Sequence, residues 1–125
     1  RRKKENTENE NKHVQNKYVK MAIDFMVNYY NEVITLDKVS QMAGLSTYYF
    51  CKLFKKETNM TFYNFLNRIR LYYSLRELMN SDETITYIAL KNGFPNVKSF
   101  INCCKKTYGC TPTQYKDKFK KIKTD

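Results

Sequence analysis

The 125-residue chain has three glycines, two prolines, no tryptophan and a single histidine, His13. So little glycine and proline argues against a loop-rich or all-β fold and for a mainly helical one. One histidine and no glycine-rich phosphate loop make catalysis an unexpected role, and no enzyme activity is assigned. No hydrophobic run reaches the ~18 residues of a membrane span. No signal-peptide pattern accompanies the charged opening Arg1-Arg2-Lys3-Lys4. An initiator Met is also missing, as expected of a fragment from a longer protein. Cys51, Cys103, Cys104 and Cys110 form no C-x-x-C pair and have no His nearby, so neither metal nor cofactor is expected. A secreted disulfide scaffold would be richer in cysteine and loops; reduced thiols in a cytoplasmic helical core are the expectation.

What the chain does have is positive charge. Lys and Arg number 23 against 12 Asp and Glu, a net of +11. Such an excess points to a polyanionic partner, nucleic acid ahead of an anionic membrane surface. The surplus is uneven: +2 over residues 1–33, +4 over 34–80 and +5 over 81–125. Residues 1–12 mix both signs with Asn and Thr and show no apolar periodicity, which reads as a disordered tail or linker. The folded domain is expected over 13–125.

Its first element is an amphipathic helix over 13–31, with Val14, Tyr18, Met21, Ala22, Phe25 and Tyr29 at helical spacing. An internal repeat follows. At an offset of 49, Thr35, Leu36, Val39, Ser40, Gly44 and Leu45 align with Thr84, Ile85, Ile88, Ala89, Gly93 and Phe94. One extra residue near Pro95 moves the offset to 50. Phe50, Lys55, Lys56, Asn59, Thr61 and Phe65 then align with Phe100, Lys105, Lys106, Gly109, Thr111 and Tyr115.

The punctuation repeats as well. Thr35 and Thr84 suit helix N-caps, and Gly44 and Gly93 suit sharp helix exits. Ser46 and Asn96 cap a second helix, running to about Glu57 and Tyr108 and ending at Asn59 and Gly109. Thr61 and Thr111 cap a third, with Pro112 in the favoured first position. Helix, tight turn, helix therefore occurs twice, in modules at about 13–60 and 81–123. Between them a linker helix is predicted over 62–79, apolar on more than one stripe, as suits a helix packed on both modules. At ~1.5 Å per residue it spans about 27 Å. That length, with module width added, could hold two recognition helices about one DNA turn apart, ~34 Å.

The stretch from Ile34 to Tyr115 resembles the AraC/XylS-type DNA-binding domain of bacterial transcription regulators. The second half carries the more specific part: Ile85, Ile88-Ala89, Gly93-Phe94, Ser99-Phe100, Lys105-Lys106, Tyr108-Gly109, Thr111-Pro112 and Tyr115. The first half adds Gly44-Leu45-Ser46, Leu53 to Glu57, and Arg70 on the linker helix. The resemblance implies an all-α fold of about seven helices, in two helix-turn-helix subdomains joined by a long helix. It further implies recognition helices that enter successive major grooves on one DNA face. Three positions depart from the family pattern. Asn102 stands where an Arg is usual, Cys104 where a Phe is usual and Asn59 where a Gly is usual. Asn59 is conservative, since Asn also accepts the left-handed cap. Cys104 aligns with Phe54 and reads as a core position filled by a smaller residue; a redox role for the Cys103-Cys104 pair is the alternative. Asn suits adenine where Arg suits guanine.

Helical phase and the resemblance together nominate contacts. Thr47, Tyr48, Cys51 and Lys52 in the first recognition helix, and Lys98, Ser99 and Asn102 in the second, are expected to read bases. Lys55, Lys56, Lys105 and Lys106 are expected to grip phosphate. Arg70, mid-helix, is an alternative structural ion-pair partner. The leading function is sequence-specific binding of double-stranded DNA that recruits or blocks RNA polymerase, with a sensing or dimerising domain upstream. A general RNA-binding module is the second reading. It is disfavoured because RNA-stacking aromatics usually sit on sheets or loops, whereas these follow core periodicity. A membrane-surface role is disfavoured because the charge is divided between modules rather than lined along one helix. The Lys-, Asn-, Tyr- and Ile-heavy vocabulary suits an AT-rich bacterial genome.

Overall fold

The computed structural model describes residues 16–124. The tail expected at 1–12, and the start of the first helix expected at 13, lie outside them. Among the described residues there are seven helices and no strand: α1 Lys17–Tyr29, α2 Leu36–Ala43, α3 Thr47–Thr58, α4 Phe62–Asn80, α5 Ile85–Lys91, α6 Val97–Tyr108 and α7 Pro112–Thr124. The all-α architecture with a long central helix is the one the resemblance implied.

Each helix begins where a side chain can satisfy the free N–H groups of a first turn. The Thr35 hydroxyl accepts from the Lys38 N–H at 3.1 Å, Ser46 from Tyr49 at 3.1 Å, Thr84 from Tyr87 at 3.1 Å and Asn96 from Ser99 at 2.8 Å. Thr61 caps α4 in the same way. At α7, Thr111 accepts from the Gln114 N–H while the Gln114 side chain accepts from the Thr111 N–H, a reciprocal capping box. Asn16 caps α1, its side-chain oxygen accepting from Tyr18 and Val19. Asn59 takes φ 62°, the one non-glycine residue with positive φ among those described. It performs there the service that Gly109 performs after α6.

The second copy keeps the expected exit: Gly93 donates to the Leu90 carbonyl and Phe94 to the Ala89 carbonyl, as Gly44 and Leu45 do to Gln41 and Ser40. α5 closes on Asn92, with φ −95°, and Gly93 follows at φ 96°. The Asn92 amide reinforces that exit. It is buried and donates both to the Ile88 carbonyl at 2.8 Å and to Glu77 Oε1 at 3.0 Å, which ties the last turn of α5 to α4.

The phase of α1 needs correction. Its buried stripe is Val19, Ala22 and Met26, whereas Tyr18, Met21 and Phe25 are only half-buried and Tyr29 is exposed. Aromatic rings can flank a core while keeping an edge in water, so they mark the border of the buried face rather than its centre.

The chain divides into two compact units. The first comprises the described residues up to Tyr29 together with Ile34–Phe65. Its core is aromatic: Phe54 meets Phe62 and Phe65 edge-on, at centroid distances of 5.6 and 5.4 Å, and Phe50 lies 6.1 Å from both Phe54 and Phe62. The second comprises Tyr30–Val33 and everything from Leu66 onward. Here Leu71, Leu75 and Leu78 of α4 pack with Ile88, Ala89, Phe94, Phe100 and Cys104. The double-sided apolar pattern of α4 thus has a physical basis, since its two ends feed different cores.

Tyr30–Val33, the link between α1 and α2, is held firmly within the second unit. Arg70, 7% exposed, donates through Nε to the Tyr30 carbonyl at 2.8 Å and through Nη2 to the Glu32 carbonyl at 2.9 Å. The Tyr30 ring stacks on Tyr73 at 4.4 Å. Arg70 is structural, but its partners are backbone carbonyls rather than a carboxylate. Gly93 closes this clamp: a Cβ there would stand 2.2 Å from the Tyr30 carbonyl oxygen and 2.7 Å from Arg70 Nε.

Candidate nucleic-acid interface

The two candidate recognition helices, α3 and α6, share one pattern of burial at an offset of 50 residues. Phe50 and Phe54 on α3 and Phe100 and Cys104 on α6 are fully buried. Leu53 and Cys103 are half-buried, and positions 48, 52, 55 and 56 and their partners 98, 102, 105 and 106 are exposed. The apolar side chains fix the rotation of each helix on its own core, and that rotation decides which residues face water.

On α3 the exposed residues include Tyr48, Tyr49, Cys51, Lys52, Lys55 and Lys56. Tyr48 is 72% exposed, so its ring is not packed away. The Lys52 ammonium lies 4.9 Å over that ring and donates to the Tyr48 hydroxyl at 3.0 Å, which makes the two side chains one unit. Thr47 is half-buried, and its hydroxyl donates to Asp37 Oδ1 at 3.0 Å. That bond ties it to the first turn of α2. Lys55 and Lys56 lie in the last turn of α3, where cations also favour the helix dipole.

On α6 the exposed face is Lys98, Asn102, Lys105 and Lys106. Ser99 is half-buried, and its hydroxyl donates to Asn96 Oδ1 at 3.0 Å, so it serves the N-cap. Among the described residues, the Asn102 side chain has no hydrogen-bond partner.

The vicinal cysteines face inward. The Cys103 thiol donates to the Asn67 carbonyl at 3.6 Å, and burial pushes its pKa up against the smaller opposing pull of Thr107, Arg68 and Lys106. Burial pushes the Cys104 thiol up to about 12. A thiol held protonated is a poor nucleophile and a poor metal ligand. Among the described residues no group of three or more His, Cys, Asp or Glu side chains comes together, and no helix is long and apolar enough to cross a membrane.

Apolar periodicity leaves one polar feature of α4 unseen. Arg68 and Arg76 are exposed on this helix, Arg76 lies over the exposed Tyr72 ring at 5.7 Å, and Arg68 is close enough to Cys103 to bias its thiol. Arg68, Tyr72 and Arg76 recur at i, i+4 spacing. That spacing is the signal for a shared face, and it is carried by polar residues rather than by the apolar stripes.

Comparison with known proteins places this geometry among helix-turn-helix regulators. A family model described as a helix-turn-helix domain matches residues 39–118. An uncharacterized HTH-type transcriptional regulator of Staphylococcus aureus (strain COL) is 34% identical over 98 residues. That match covers 78% of this chain but only 13% of the relative, so the chain spans about an eighth of its curated relative's length. Among solved structures, the C-terminal domain of the two-component response regulator yesN from Fusobacterium nucleatum is 28% identical, with a TM-score of 0.71, over 78% of this chain and 95% of that one. The DNA-binding domain of AdpA, a global transcriptional factor crystallised with a target DNA, shares the fold with a TM-score of 0.80 at 16% identity, over 88% of this chain and 99% of that one.

Proposed function

Because the chain belongs to the helix-turn-helix family of AraC-type transcription regulators, we propose that it binds double-stranded DNA sequence-specifically to regulate transcription. The observation that carries this is the repetition itself. Each unit presents a capped helix whose inner face is fixed by its own core and whose outer face carries lysines at matching positions. Base readout is assigned to Tyr48, Cys51 and Lys52 on α3 and to Lys98 and Asn102 on α6. Thr47 and Ser99 stand behind them as positioning groups already engaged within the protein. Lys55, Lys56, Lys105 and Lys106 take phosphate, and the two helices read successive major grooves. The role is binding rather than catalysis. In the longer protein, a sensing or dimerising domain upstream and contact with RNA polymerase in the cytoplasm complete the regulator.

RNA stacking is not favoured: Phe50, Phe54, Phe62 and Phe100 are spent inside the cores, and the exposed Tyr48, Tyr49, Tyr63, Tyr72, Tyr87 and Tyr108 lie on helices rather than on a sheet or loop. Selection of bound sequences from a random duplex pool tests the proposal directly, followed by competition with scrambled duplex and with RNA. A selected site with two half-sites about one helical turn apart, outcompeting both rivals at moderate salt, is expected. Equal binding to all three polyanions would refute it.

A further inference from the structure

We propose that Asn102 is the adenine reader of the second unit, so that the half-site under α6 holds an A·T pair at one fixed position. The half-site under α3 has no position set in this way. This rests on the reading of the chain as a duplex-DNA binder and adds a base to it.

The exposed face of α6 offers few groups that can tell bases apart. Lys98 and Lys105, one turn to either side of Asn102, have donors only. They can approach guanine or phosphate, but neither can accept a hydrogen bond from a base. The Ser99 hydroxyl is committed to Asn96, and the Cys103 thiol to the Asn67 carbonyl. Asn102 is exposed, and both ends of its amide are unoccupied among the described residues. A free amide carries one acceptor and one donor side by side. In the major groove adenine presents the complementary pair, the N6 donor beside the N7 acceptor. Guanine presents two acceptors there, which would leave the Asn102 oxygen facing another oxygen without a proton between them.

α3 supplies an internal comparison. The residue matching Asn102 is Lys52, whose ammonium is held by Tyr48 Oη, and no Asn or Gln is exposed on the helix between Tyr48 and Lys56. An amide-read adenine is therefore confined to one half of the operator, and the operator is asymmetric.

The test is selection from a random duplex pool with the 125-residue chain and its Asn102→Ala and Asn102→Arg variants. Binding is then measured to the selected duplex carrying 7-deazaadenine at the candidate position. The wild type is expected to enrich adenine at one position of one half-site. Asn102→Ala loses that preference alone, and Asn102→Arg shifts it to guanine, with the other half-site unchanged. Removing N7 leaves only the bond from N6, so wild-type binding weakens by part of the roughly 5- to 150-fold of a whole bidentate contact, and Asn102→Ala is unaffected. Adenine still enriched by Asn102→Ala, or a 7-deazaadenine duplex bound as tightly as its parent, overturns the adenine assignment while leaving DNA binding intact. A wild type that enriches no sequence at all overturns the DNA-binding reading beneath it.

Discussion

Replacing Gly93 with alanine should destabilise the second unit far more than the same change at Gly44 or Gly109. All three glycines have positive φ, at 96°, 72° and 74°, but only Gly93 is crowded; a Cβ at either of the others meets nothing within 4 Å. The left-handed backbone alone costs an L-residue about 1–2 kcal/mol, and that is the expected cost at Gly44 and Gly109. At Gly93 the new methyl would also stand 2.2 Å from the Tyr30 carbonyl oxygen, which is backbone and cannot swing aside. Moving that carbonyl breaks its hydrogen bond with Arg70 Nε, and a bond to a charged group contributes about 1.5–3 kcal/mol. The total is about 2.5–5 kcal/mol, a large share of the ~5–15 kcal/mol available to a domain. Urea denaturation followed by circular dichroism, run on all three variants, would measure it. Arg70→Met should also be destabilising, and Gly93→Ala should cost less in that background, because the bond it breaks is already gone. A Gly93→Ala penalty no larger than that of Gly44→Ala would refute the clamp.

Other outcomes follow from the same structure. The Glu77 carboxyl is held below its ordinary value chiefly by its hydrogen bond from Lys91 at 2.8 Å, with Asn92 helping and burial opposing. Its contribution is therefore present above the unfolded pKa and lost as pH falls through the depressed folded one. Thermal melts of Glu77→Gln and wild type should thus differ at neutral pH and converge as pH falls through the depressed folded pKa, below the ordinary carboxylate range; a gap that widens on acidification would contradict this. The Ser74 hydroxyl is buried with no hydrogen-bond partner among the described residues. Ser74→Ala should accordingly be neutral or stabilising by up to about 1 kcal/mol in urea melts, and a clear destabilisation would reveal a missed partner. Iodoacetamide should label exposed Cys51 in the folded protein and spare Cys104, whose thiol is held near 12, until denaturant is added; early labelling of Cys104 would remove it from the core. Lys105→Ala should weaken binding to all duplexes alike and make the slope of log K against log salt shallower by roughly 0.9 for each phosphate it no longer neutralises. A sequence-dependent effect would instead make Lys105 a base reader.

The parts legible from sequence are those set by interactions within a few residues. Thr35, Ser46, Thr84 and Asn96 each cap a helix whose N–H they reach three residues on. Asn59 adopts the left-handed exit that its alignment with Gly109 requires. Cys104 is buried as its alignment with Phe54 requires, because a repeated backbone puts the same phase of each helix on its core. The misreadings involve partners far away in sequence. Arg70 resembles half of an ion pair, yet its partners are carbonyls 38 and 40 residues upstream, and carbonyls leave no trace in side-chain identity. On α1, periodicity finds an amphipathic helix and the buried Ala22, but sets Tyr18, Met21, Phe25 and Tyr29 beside it where the buried residues are Val19 and Met26.

By itself the sequence determined the family, the helices with their caps, and the doubling of the helix-turn-helix. These depend on local backbone chemistry and on a repeat visible to alignment. Tertiary structure alone decided which unit owns the link Tyr30–Val33 and why Gly93 is crowded as well as left-handed. It also decided which polar groups on α3 and α6 remain free: Ser99 and Thr47 look as available as Asn102 on a helical wheel, and hydrogen bonds to Asn96 and Asp37 engage them. A side chain can read a base only with hydrogen-bonding capacity that the fold has not already used, and only the folded chain shows what has been used.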